Sequence, residues 1–95
     1  MLFIWDPEKA EVNYKKHEIS FEMAQTVFDD PFHLSLLDQK EHDEERWITM
    51  GKSANAKALI VVHTFQEDLD GEEIIRIISA RKATKREEKD YEKRI

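Results

Sequence analysis

The sequence contains no cysteine. Disulfides and thiolate metal sites are therefore excluded, and the absence fits a reducing cytosol. Glycine and proline are scarce, two of each among 95 residues, so each one marks a specific break. No apolar run approaches the roughly 20 residues that a membrane span needs. The opening MLFIWDPEK lacks the basic stretch and long apolar segment of a secretory signal. There is no Gly-rich phosphate loop, no G-x-S-x-G and no aromatic-rich basic strand of the RNA-recognition type. Positive charge is also in deficit: 15 Lys/Arg against 21 Asp/Glu, a net charge of −6. That balance argues against nonspecific nucleic-acid binding by the whole surface.

The charge is unevenly distributed. Residues 76–95, RIISARKATKREEKDYEKRI, hold eight Lys/Arg and four acids, a net of +4, which leaves −10 for residues 1–75. An acidic body with a basic end points to a local polyanion site. Charged residues make up 38% of the chain, well above the usual roughly 25%. With 40% hydrophobic residues the chain has material for one core, so residues 1–95 are expected to form a single domain.

Leu2–Trp5 reads as a strand. Asp6-Pro7 reads as an N-cap and first helical residue, opening a helix to about His17. Ser20 is a second N-cap, followed by Phe21, Ala24 and Phe28 at helical spacing. Asp29-Asp30-Pro31 ends that helix. Strands are expected over 33–37, 46–51, 58–65 and 73–80. The run ALIVVHTF (58–65) has the continuous apolar character of a strand buried on both faces. Gly51–Lys57 and Asp70-Gly71 are turns, and 38–44 is a polar loop. Thr84 with Glu87 makes a capping-box pattern for a last helix over 85–94. The order is βααββββα. The expected architecture is α+β: a mostly antiparallel sheet with helices packed on one face.

Strict alternation along 73–81 puts Arg76 on one face with Ile74, Ile78 and Ala80. Ile75, Ile77, Ser79 and Arg81 then share the other. Arginine's planar fork suits phosphate, so Arg76 and Arg81 are candidate phosphate contacts, with an ordinary salt bridge as the competing role. Arg46, opening RWITMG after Glu41, Asp43, Glu44 and Glu45, has the same two readings. Lys52 lies just past Gly51, within reach of a substrate. His63 is either a buried hydrogen-bonded histidine or a general acid–base. His17 fits a helix C-terminus. His33 and His42, near Asp38 and Asp43, lack the spacing of a metal site. Tyr91 is either an anchor for the last helix or a hydroxyl that holds a phosphate or shuttles a proton.

Three stretches together, WDPEKAEVNYKKHEISFEMAQTVFDDP, ERWITMG and RIISARKATKREEKDYE, span nearly the whole chain. In them the chain resembles the BrnT toxins of bacterial type II toxin–antitoxin modules. Glu18 departs from the pattern, which usually has Gly after KH. The resemblance implies a RelE-like fold and a metal-independent endoribonuclease that cleaves RNA and arrests growth in the cytoplasm, with no cofactor. It implies a cognate antitoxin with a ribbon-helix-helix region, through which alone the pair reaches operator DNA; no membrane is involved. The carried-over catalytic candidates are Arg46 and Arg81, with His63 or Tyr91 for proton transfer. The RNA-binding candidates are Lys52, Arg76, Ser79, Lys82, Lys85 and Arg86, with no metal ligand among them. The alternative is a non-catalytic binding partner or operon co-repressor.

Overall fold

The structure, a computed structural model, describes residues 1–40 and 43–94. Glu41 and His42 of the polar loop lie outside the described residues. Strand β1 (Leu2–Ile4) leads into helix α1 (Pro7–His17) and short helix α2 (Phe21–Gln25). A 3-10 turn (Thr26–Asp29) follows, then strands β2 (Leu34–Leu37), β3 (Trp47–Lys52), β4 (Ala58–Glu67) and β5 (Glu73–Lys82). Helix α3 (Lys85–Glu92) ends the described fold.

The local signals act as expected at the helix starts. The Asp6 carboxylate accepts the Glu8 N–H at 2.9 Å, and the Ser20 hydroxyl accepts that of Met23 at 3.0 Å. Thr84 and Glu87 form both halves of the capping box. Such caps satisfy backbone donors that no helical carbonyl can reach. The second helix is shorter than its apolar spacing predicts, because residues 26–29 tighten into the 3-10 turn.

Helix α1 ends at Glu18, which adopts the left-handed conformation at φ 60° while its N–H bonds to the Tyr14 carbonyl at 2.8 Å. A side chain with a Cβ is strained there, and glycine is not. Glu18→Gly is therefore expected to stabilise the fold by about 0.5–1 kcal/mol, once glycine's extra chain entropy is subtracted. Urea unfolding checks this; a lower midpoint would reverse it.

The sheet order is β1-β5-β4-β3-β2. Three pairings are antiparallel, but β1 runs parallel to β5, so the sheet is mixed. The helices also depart from a single-layer arrangement. α1, α2 and the 3-10 turn cover one face, whereas α3 closes the end of the sheet. The core lies under the first group, built from Ile19, Phe21, Ala24, Val27, Leu59 and Ile77, among others. Gly51 makes that packing possible. A Cβ there would stand 2.9 Å from Val27 Cγ1 and 3.0 Å from His33 Cβ, so any larger residue would push the 3-10 turn off β3.

The largest correction concerns β5. Val62 pairs with Ser79, but the next residue, His63, pairs with Ile77. Ile78 is the extra residue of a β-bulge, and a bulge reverses the alternation beyond it. Ile75, Ile77 and Ala80 therefore all point into the core, each 1% exposed. Arg76, Ser79 and Arg81 are brought to the opposite face. Asn13 of α1 stands beside the bulge, 6% exposed. Its amide donates to the carbonyls of Ile19 (3.1 Å) and Ala80 (2.9 Å), and its side-chain oxygen accepts the Ala80 N–H (3.1 Å).

Candidate functional site

Among the described residues no helix crosses the face of the sheet turned away from α1 and α2. Its apolar part includes Leu2, Ile4, Leu36, Ile48 and Val62; Leu36 is 60% exposed and Leu2 49%. Strand parity adds Arg76, Ser79 and Arg81 from β5. Arg46, just ahead of β3, continues the parity of Ile48 and Met50 and joins them.

Arg46 is half-buried, and its Nε is buried without a hydrogen-bond partner among the described residues. A buried donor left unpaired costs about 1–3 kcal/mol, so its presence calls for an explanation. Arg76 donates from Nη2 to the Glu44 carboxylate. That hydrogen bond, followed by the charges of Arg76, Arg46 and Lys9, outweighs partial desolvation and holds the Glu44 carboxyl below its ordinary range. Lys9, the lysine of WDPEK, was not predicted as a site residue, because only the fold brings α1 beside the 43–46 segment.

Arg81 is committed to α3. Its Nη1 and Nη2 donate to the two oxygens of Glu87 at 2.9 and 3.0 Å, a bidentate pair. The pair pushes Arg81 up. The Arg81 hydrogen bond, together with the Thr84 N–H and hydroxyl and against partial burial, pulls the Glu87 carboxyl down to about 2. A depressed carboxylate stabilises the fold fully above its unfolded value near 4.5, and that contribution is lost as pH falls toward 2. Glu87→Gln is expected to lose about 1–2 kcal/mol at pH 7, after allowing for solvent screening at this partly exposed site. In denaturant titrations across pH, the gap between the two proteins should close between about pH 4.5 and 2. A gap that does not vary with pH would exclude the ion pair as its source.

His63 and Tyr91 are not brought to the arginines. His63 is 2% exposed on the helix-covered face, with the Phe28 ring edge-on at 5.0 Å. Its Nδ1 faces the Thr64 carbonyl at 3.0 Å, so Nδ1 carries the proton and Nε2 accepts from the Thr49 hydroxyl at 2.6 Å. Burial lowers its basicity, against the Thr64 contact and aided by the charge of His33. This is a neutral core histidine.

Tyr91 is 2% exposed, and its hydroxyl donates to Asp30. Burial, then that hydrogen bond and the Asp30 charge, raise the phenol to about 12. Burial pushes Asp30 up, but the N–H groups of Lys52 (2.7 Å) and Phe32 (2.9 Å), the Tyr91 hydroxyl and the nearby His33 charge hold it down. Asp30 and Tyr91 thus bolt α3 to the 3-10 turn and β3. The remaining predicted cations, Lys52, Lys82, Lys85 and Arg86, gather where the sheet end meets α3, and all four are exposed. His33 donates from Nδ1 to the Asp30 carbonyl at 2.7 Å. Among the described residues no group of three or more histidine or acidic side chains is placed to hold a metal ion.

These features define the class: a small α+β domain with one sheet face under helices and the other, among the described residues, free of helices and bearing Arg46, Arg76 and Arg81. Residues 5–87 match the family model for the ribonuclease toxin BrnT of type II toxin–antitoxin systems. The chain belongs to that family, which makes it a ribonuclease toxin of a type II system, with RNA as substrate and an antitoxin as partner. The fold is similar to the 1.1 Å crystal structure of the Brucella abortus ribonuclease toxin BrnT, at 19% identity and a TM-score of 0.60, over 90% of this chain and 100% of that one. No curated protein sequence matches the chain.

Proposed function

We propose that the bare sheet face is where RNA binds and is cut, by an endonucleolytic reaction that needs no metal. The observation that carries this reading is Arg46: among the described residues its buried Nε has no partner, beside the Arg76–Glu44 pair, on a face that no described helix covers. RNA supplies its own nucleophile. The 2′-oxygen attacks the adjacent phosphorus, the bond from phosphorus to the 5′-oxygen breaks, and a 2′,3′-cyclic phosphate and a 5′-hydroxyl result. The rate then depends on cations for the charge that grows on the phosphoryl oxygens. Arg46 and Arg76 take that role. Arg76 turns from Glu44 to the phosphate, which frees Glu44 to accept the 2′-hydroxyl proton; solvent returns one to the leaving oxygen, and Ser79 orients the phosphate. Arg81 adds positive field and holds α3 in place through Glu87.

The partner antitoxin covers the apolar part of the same face, where exposed Leu2, Ile4 and Leu36 are apolar surface of the kind a protein interface buries. We assign it a ribbon-helix-helix region, through which alone the pair reaches operator DNA, and we place the action in the cytoplasm. The acidic body repels RNA everywhere but the arginine face and attracts basic segments of the antitoxin. The test is cleavage of a defined RNA by purified antitoxin-free protein in EDTA. Cut RNA ending in a 2′,3′-cyclic phosphate is expected. Intact RNA in EDTA with cleavage restored by a divalent ion would overturn the metal-free mechanism.

A further inference from the structure

A second basic feature lies outside the arginine face. At the sheet end, beneath α3, a cavity of about 270 Å³ is lined by Lys52 and Lys82 from the ends of β3 and β5 and by Lys57 from the turn just before β4. Glu88 and Glu92 of α3 form its other wall, over Tyr91. Among the described residues none of the three lysines is ion-paired, in contrast to Arg76 and Arg81, which both hold carboxylates. Three ammonium groups on one wall and two carboxylates on the other form a mixed site. An acidic peptide group would satisfy the first wall and be repelled by the second. A nucleotide satisfies both: its phosphate takes the lysines, and exocyclic amino groups of its base donate to the carboxylates. The cavity also adjoins Arg81, which holds Glu87 of α3, since the next residue, Glu88, lines the cavity.

We infer that this cavity is a flanking nucleotide subsite: it binds a phosphate and an amine-bearing base of the RNA strand as that strand leaves the arginine face. The inference rests on the RNA reading above and adds Lys57, Glu88 and Glu92 to the recognition surface. It predicts a footprint that extends around the sheet end, and a preference for adenine, cytosine or guanine over uracil in that position.

The experiment is equilibrium binding of a non-cleavable 2′-O-methyl oligoadenylate across a salt series, read by fluorescence anisotropy. The proteins are wild type, the triple variant Lys52→Gln/Lys57→Gln/Lys82→Gln, and a control, Lys15→Gln/Lys16→Gln, on α1. Each lost phosphate contact lowers the slope of log affinity against log salt by about 0.7 for single strands. The triple variant is expected to bind more weakly, with a slope reduced by about 0.7 to 2 according to how many lysines share one phosphate, and the control to match wild type. An unchanged slope in the triple variant would overturn the subsite and leave the cavity to an acidic group of the protein partner. Equal losses in the control would mean diffuse attraction and overturn it too. Equal binding of oligoadenylate and oligouridylate would overturn base reading by the carboxylates. If folded wild type binds neither oligomer, the RNA reading of the protein fails first, and the subsite falls with it.

Discussion

Arg46→Ala is expected to slow RNA cleavage by about 10²–10³-fold, the usual cost of removing one preorganised donor from a developing oxyanion. The folded state should not suffer in proportion. Among the described residues the buried Nε of Arg46 has no partner, which is a cost of about 1–3 kcal/mol rather than a gain. Removing it should leave stability unchanged or raise it. Activity and stability then move in opposite directions, a pattern that a merely structural arginine does not produce. Arg46→Lys is expected to recover little, because an ammonium lacks the planar fork. Single-turnover cleavage in EDTA beside urea unfolding reads both quantities. Cleavage within threefold of wild type would remove Arg46 from the site.

Asn13→Ala is expected to cost about 3–5 kcal/mol, since it strands three buried backbone groups at about 1–3 kcal/mol each and the surroundings relax in part. Those groups are the carbonyl of Ile19 and both the carbonyl and the N–H of Ala80. The loss is a large share of the roughly 5–15 kcal/mol that holds a domain together. Function should fall as well, even under conditions where the variant is still folded. Asn13 clamps β5 immediately after the bulge, and the bulge sets which face Ser79 and Arg81 occupy. Asn13→Asp keeps the acceptor for the Ala80 N–H, but it loses both donated bonds and buries a carboxylate, so it should not rescue. Chemical denaturation and cleavage below the unfolding midpoint test this. A loss below about 1 kcal/mol would show that Asn13 is not the clamp.

Much of the element order was legible because its signals are local. Asp6-Pro7, Ser20 and the Thr84–Glu87 box each act within four residues, and the sequence shows them directly. Pro31 bounds the helical stretch for the same reason, although α2 itself ends at Gln25 and residues 26–29 continue as the 3-10 turn. The cationic residues were legible as types: Arg46, Arg76 and Arg81 stand out in an acidic chain. Their arrangement was not. His63 was a reasonable acid–base candidate until the fold put it under Phe28, and Tyr91 until it closed on Asp30. Lys57, in a turn, and Lys9, on the first helix, carry no local mark that sets them apart from other exposed lysines.

The sequence by itself determined the caps, the breaks, the strand-forming runs and the charge contrast between residues 1–75 and 76–95, since these depend on neighbours in the chain. Only the tertiary structure decided that β1 runs parallel to β5, that α3 closes the sheet end, and that Arg76, Ser79 and Arg81 share one face. The last point turns on one extra residue at Ile78. An uninterrupted alternation sends Arg76 and Arg81 to opposite faces, and nothing within β5 marks where the alternation slips. The slip is held by Asn13, 67 residues away in sequence from Ala80. A contact of that range depends on the packing of α1 against the sheet, which no stretch of β5 encodes alone.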